Sequence, residues 1–262
     1  MKNQIRKIAR RFLPDSIRKP LGAMAGKFDE AVIQQAQGFI FDLGGGKFKT
    51  DGCTFIIPKD QTSLAYRSSF LSGNYEVDDL AVVRAFIRPD DHVLELGACM
   101  GIVSCVANKM LKDKTRHVVV EANPFCIPSL HRNRNLNQCG FLIEHCAVSQ
   151  QREVTFHVNS RIIVSSSMQD KTDLPVRVPA RSLTELDARY GPFTALIVDI
   201  EGAELETFEN ARDVLRRVGL VIVELHESVL GEDGMDRCRK ILADAGLKLQ
   251  KRIQGVEAWQ RL

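Results

Sequence analysis

Asp91-His92-Val93-Leu94-Glu95-Leu96-Gly97-Ala98-Cys99-Met100-Gly101 is the stretch on which the fold turns. His92 to Leu96 is an apolar run of strand length. Pro89-Asp90-Asp91 bounds it on one side and two glycines on the other. Residues 101–112 then carry helical spacing. The unit is strand, glycine turn, helix, and the same alternation extends outward. Upstream, 77–87 reads as a helix. Downstream, Val118 to Glu121 is a strand, 125–137 a helix opened by Pro124, and Leu142 to Val148 a strand. Val154 to Val158 and Val176 to Ala180 read as short strands around a loop holding Ser165-Ser166-Ser167-Met168. Residues 182–189 form a helix with Ser182 and Glu185 in capping-box positions. Thr194 to Ile200 (strand), 203–217 (helix), Leu220 to Leu225 (strand) and 234–245 (helix) follow. Residues 247–253 and 255–260 close the chain as a strand pair. This order predicts an α/β fold with a mostly parallel seven-stranded sheet, helices on both faces, and an antiparallel edge strand from the final hairpin.

The main domain is expected over 71–262, with 1–70 as a small extension. Gly44-Gly45-Gly46 lies between the apolar runs 39–43 and 53–57, which predicts a β-hairpin there. Residues 1–13 have Ile5, Ile8, Ala9 and Phe12 at helical spacing among Arg and Lys, the pattern of a basic amphipathic helix. Residues 1–27 hold eight basic side chains against Asp15, a local +7 in a chain whose net charge is +3. Such a segment suits peripheral contact with an anionic membrane surface. The net charge and the 6% aromatic content argue against nucleic acid as a partner. Seven cysteines with no C-x-x-C read as reduced, buried side chains. No apolar run approaches membrane-spanning length, and a cytoplasmic location is expected.

In a parallel sheet, ligands sit beyond the carboxyl ends of the strands. Gly97 lets the backbone turn tightly there, Gly101 lets the helix pack closely, and the first helical N–H groups favour an anion. A dinucleotide fold wants G-x-G-x-x-G, but the spacing here is G-A-C-M-G with Ala98 inside it. Glu95, an acid before the turn, would repel a pyrophosphate. It suits the ammonium of a methionine moiety, whose carboxylate can meet the turn amides. Glu121 ends the second strand, 20 residues after Gly101, where an acid accepts hydrogen bonds from ribose hydroxyls. Ala122 follows it. Ala147, in His145-Cys146-Ala147-Val148, lies where an adenine would rest. These residues point to S-adenosylmethionine. The alternatives are an NAD-binding oxidoreductase and a cofactor-binding module without catalysis.

Ala195-Leu196-Ile197-Val198-Asp199-Ile200-Glu201-Gly202 places two acids at the end of a buried strand. Methyl transfer from a sulfonium needs an aligned acceptor and a proton acceptor. Asp199, Glu201 and His226, the last at the end of the next strand, are the candidate catalytic residues. Asp199 is also a candidate contact for the cofactor. Asp199, Glu201, Glu224 and His226 offer ligands for a divalent ion, but Glu224 and His226 point oppositely along a regular strand, so no metal is assigned.

The run Asp199-Ile200-Glu201-Gly202-Ala203-Glu204 resembles the FkbM family of methyltransferases, whose signature there reads like K-x-D-x-E-G-x-E. The glycine turn resembles that family's D-x-G-A-N-x-G, Gly73-Asn74-Tyr75-Glu76 its G-x-Y-E, and Glu224-Leu225-His226 its E-x-H. The likeness spans roughly residues 70–228 in order. Ile197 stands at the usual lysine, Cys99 at the usual asparagine and Glu95 at the commoner aspartate. The resemblance implies a Rossmann-like class I methyltransferase fold and S-adenosylmethionine as cofactor, with Tyr75 and Glu76 joining its site. It also implies O-methyl transfer onto a sugar, glycan or other small natural product.

Overall fold

The computed structural model describes residues 30–158 and 174–262. The basic helix expected over 1–13 and the Ser165–Met168 loop lie outside the described residues. In chain order the elements are α1 (Glu30–Leu43), β1 (Lys47–Thr50), β2 (Cys53–Ile56), α2 (Leu64–Ser72), α3 (Val77–Phe86), β3 (Val93–Leu96), α4 (Ile102–Met110), β4 (His117–Glu121), α5 (Ile127–Leu136), β5 (Leu142–His145) and β6 (Ala147–Val148). There follow β7 (Glu153–Val158), β8 (Leu174–Arg181), α6 (Leu183–Tyr190), β9 (Ala195–Val198), α7 (Glu204–Asn210), α8 (Arg212–Leu215), β10 (Leu220–Glu224), α9 (Glu227–Asp244), β11 (Lys248–Ile253) and β12 (Val256–Gln260).

Seven strands form the main sheet in the order β11-β12-β10-β9-β3-β4-β5. Strands β5, β4, β3, β9 and β10 are parallel. β3, β4 and β9 are buried along their whole length, as expected for parallel strands covered on both faces. Leu94 and Leu96 pack with Val198, Phe208 and Leu242 on one face. Val93 packs with Val83 and Ala107 on the other. The antiparallel strand is present as β12, but one place in from the edge, between β10 and β11. The reason lies in the side chains. β12 is buried almost throughout, whereas β11 is mostly exposed and carries Lys248, Lys251 and Arg252, residues that suit an edge.

Other differences have local causes. The run 142–148 divides at Cys146, because β5 stays in the main sheet while β6 pairs with β8. The helix expected over 203–217 breaks at Ala211, where φ is −128°. Ser182 and Glu185 do form the capping box. In the extension, 39–43 is helical. The N–H groups of Gly44, Gly45 and Gly46 donate back to the carbonyls of Ile40, Asp42 and Phe41, so the glycine run ends α1. The hairpin lies further on, between β1 and β2, and turns at Asp51-Gly52, both with positive φ, the preferred chemistry for a two-residue hairpin loop. Phe41, Phe48, Phe55 and Phe70 share one core with Met100, Leu130 and Phe141. The described part of the extension therefore shares a core with the main domain, and residue 70 lies within α2.

Candidate active site

β3 lies between β4 and β9, so the strand order reverses beside it: the chain runs outward from β3 to β4 and β5, then returns to β9 on its other side, and this opens a crevice at the carboxyl ends. A cavity of about 550 Å3 occupies that position. Gly97 lines it with φ +85°, and a Cβ on Gly97 would lie 1.7 Å from the Asp199 carbonyl oxygen. Only glycine allows β3 and β9 to end this close together. Glu121, at the end of β4, is 6% exposed. Its Oε2 accepts the Cys99 N–H and its Oε1 the Asn123 N–H, each at 2.6 Å. Burial raises its pKa to about 7, against the pull of these backbone donors. Each oxygen keeps a second lone pair for a ligand. Ala122 and Ala147 also line the cavity, as do Tyr75 and Glu76. Glu76, Cys99 and Glu201 are non-glycine residues held at φ between 46° and 51°, and all three face this space. Such strain concentrates at functional sites.

Three expected residues stand apart from the large cavity. Glu95 is 1% exposed and turns toward α4. Ser104 Oγ donates to its Oε1 at 2.7 Å, and His117 Nε2 lies 3.1 Å from its Oε2. It borders only a cleft of about 20 Å3, together with Ala98, Asp79 and Glu224. Ile197 is its neighbour in register on β9, and with no lysine there Glu95 is left to Ser104 and His117. Gly101 starts α4 at φ +81°, in the left-handed region that favours glycine, and does not line the cavity.

A second group gathers at the ends of β9 and β10. His226 Nδ1 lies 3.0 Å from Oε1 of Glu204, a residue with no exposure. His226 Nε2 is 3.5 Å from both Asp199 Oδ1 and Glu201 Oε2. Burial opposes charge on His226, but Glu204, Glu201 and Asp199 outweigh it and push its pKa up to about 9. Asp199 is raised well above the usual carboxylate range by burial and then by Glu224 and Glu201. Burial also raises Glu201. The strand register does not carry Glu224 and His226 apart. β10 ends at Glu224, and His226 has already turned to cap α9 with φ −91° and ψ 90°.

Sequence reasoning did not place Tyr66 in the site and weighed Glu224 there only as a metal ligand, yet both line the cavity. Tyr66 belongs to α2, and its hydroxyl donates to Tyr75 at 3.0 Å. No local pattern marks it, because it arrives through the packing of the extension.

A family model described as the methyltransferase FkbM domain matches residues 95–249, more than half of the chain. The chain belongs to the FkbM methyltransferase family. It is an S-adenosylmethionine-dependent methyltransferase. No curated protein matches it in sequence. Its fold is similar to that of a precorrin-6y C5,15-methyltransferase from Geobacter metallireducens GS-15, at 11% identity and TM-score 0.47, over 71% of this chain and 88% of that one. It is also similar to TYW2 of M. jannaschii in complex with AdoMet, at 13% identity and TM-score 0.41, over 82% and 86% of the two chains. The family match sets aside the dinucleotide reading.

The residues of this FkbM methyltransferase fit its cofactor. Glu121 offers two carboxylate oxygens beside the cavity for a ribose, the chain beyond Gly97 turns at its wall, and Ala147 leaves room at the neighbouring strand end. Six of the seven cysteines are buried, and all seven are free thiols. Among the described residues, no helix is long and apolar enough to cross a membrane.

Proposed function

We propose that the protein methylates a hydroxyl group of a sugar, glycan or small natural product, with Glu201 as the proton acceptor. The observation behind this is the placement of Glu201 in the same cavity as Glu121, with Oε2 3.5 Å from His226 Nε2. S-adenosylmethionine supplies an electrophilic methyl group when bound. Glu121 holds the ribose hydroxyls, and Tyr75 and Glu76 close the wall beside them. Asp199 lines the same cavity, with its carbonyl beside Gly97 and its Oδ1 3.5 Å from His226 Nε2. A hydroxyl becomes a useful nucleophile only as its proton leaves, and a carboxylate with a raised pKa is suited to receive it. His226, held through Nδ1 by Glu204, packs beside Glu201 and helps fix the position of that carboxylate.

The test is a mass-spectrometric screen of glycans, sugar nucleotides and small hydroxylated metabolites incubated with enzyme and labelled cofactor. An O-methyl product is expected from the wild-type protein. Glu201→Gln should lower kcat by roughly 10²–10⁴-fold while leaving S-adenosylhomocysteine affinity within about threefold. Cofactor binding with no methyl transfer to any hydroxyl in the panel would overturn the reading, as would a fully active Glu201→Gln.

A further inference from the structure

The ends of β9 and β10 hold a group that methyl transfer by itself does not call for. Asp199, Glu224 and His226 each bring one oxygen or nitrogen to within 4.8 Å of the other two. Two independent features show that this is more than a crowd of acids. Asp199 Oδ1 is buried and has no hydrogen-bond partner, although His226 Nε2 is only 3.5 Å away. On its far side the imidazole is held through Nδ1 by Glu204, which is itself fully buried. A carboxylate behind an imidazole fixes the ring and directs its other nitrogen outward, the arrangement found behind metal-bound histidines. Nε2 is thereby aimed toward Asp199 Oδ1 and Glu201 Oε2, and Glu224 brings a further carboxylate oxygen within 4.8 Å of the His226 and Asp199 ligand atoms.

We propose that Asp199, Glu224 and His226 form a binding site for one divalent cation of the Mn2+ class. Two carboxylates and one imidazole make a mixed oxygen and nitrogen set suited to a borderline divalent ion. Bonds of about 2.1 Å place adjacent ligand atoms about 3.0 Å apart in an octahedron and about 3.4 Å apart in a tetrahedron. The 3.5 Å separation of Nε2 and Oδ1 needs only a slight contraction to meet either. Glu224 closes the third side. Glu201 Oε2, also 3.5 Å from Nε2, stays outside the mutual set and free for another role. The site does not depend on the acceptor being a sugar or on Glu201 being the base.

The experiment uses the full chain, stripped with a chelator and free of cofactor. Mn2+ is titrated by calorimetry, with electron paramagnetic resonance of the free ion as a second readout. One saturable ion per chain is expected. Glu224→Gln and His226→Ala should each weaken binding by about tenfold or more. Glu206→Gln, a change elsewhere in the same cavity, should leave it unchanged. Circular dichroism checks folding, and if His226→Ala does not fold, Glu224→Gln decides, since it keeps the side-chain shape. S-adenosylhomocysteine should leave the Mn2+ stoichiometry intact. Absence of saturable binding, binding indifferent to the triad substitutions, or competitive displacement of Mn2+ by S-adenosylhomocysteine would each overturn the assignment. The last result would give the cluster to the cofactor's ammonium group instead.

Discussion

Replacing Glu121 by glutamine should separate the charge of this residue from its shape. In the wild-type protein each carboxylate oxygen accepts one backbone N–H at 2.6 Å, from Cys99 and from Asn123. Glutamine has one acceptor oxygen, so one of these two turns loses its partner and an NH2 faces an N–H. A buried donor left unpaired costs about 1–3 kcal/mol. Ribose hydroxyls donating to a charged oxygen gain about 1.5–3 kcal/mol each, against about 1 kcal/mol for a neutral acceptor. The expected loss of S-adenosylhomocysteine affinity is therefore about 1.5–3 kcal/mol, or roughly 10–150-fold. Calorimetry at pH 6, 7 and 8 supplies the second half of the test. Hydroxyl donors favour the charged carboxylate, and the Glu121 pKa lies at about 7. Wild-type affinity should thus rise with pH through that value, with proton release on binding, while the variant should lack this slope. A dissociation constant within about threefold of wild type, or the same pH slope in both proteins, would refute the assignment of Glu121 to the ribose.

Three further outcomes follow from the same geometry. Glu76, Asp79 and Glu121 have pKa values raised by burial to about 8, 7 and 7. The folded protein therefore binds more protons than the unfolded chain from about pH 4 to 8. This contribution is fully present below about pH 4.5 and is lost progressively as pH rises to the folded pKa values of about 7–8, by about 3 kcal/mol from Glu121 alone. Urea unfolding of the cofactor-free protein at pH 6 and pH 9 checks the sign. Ser104→Ala removes one of the two partners of buried Glu95 and should cost about 1.5–3 kcal/mol of stability. Cofactor affinity should stay within threefold, and a tenfold loss would show that Glu95 reaches the ligand. Residues 1–13 hold five basic side chains and no acid, and helix α1 exposes Val32, Phe39 and Leu43. At about 1 kcal/mol per basic residue near an anionic surface, deleting 1–13 should weaken binding to phosphatidylserine vesicles more than tenfold. Equal sedimentation with vesicles would remove the membrane contact.

Features that depend on neighbours along the chain are legible in the residues alone. Strand, glycine turn and helix at 92–112 follow from spacing within about twenty residues, and so does the position of Glu121 at the next strand end. Parallel strands show as apolar runs because both faces are covered, so the order of the sheet core was legible too. The glycine run at 44–46 misled because a helix end and a hairpin turn use the same residue. Burial around it, not composition, decides between them. The remaining features join segments far apart in the chain, so packing sets them. Glu95 lies in the turn's own strand, yet Ser104 and His117 claim it, because a strand residue's face is set by what packs there. Tyr66 reaches the cavity through the docking of the extension. Glu224 and His226 converge because the strand stops at Glu224, which no alternation rule reveals. β12 sits inside the sheet because its buried face finds more cover there than at the edge.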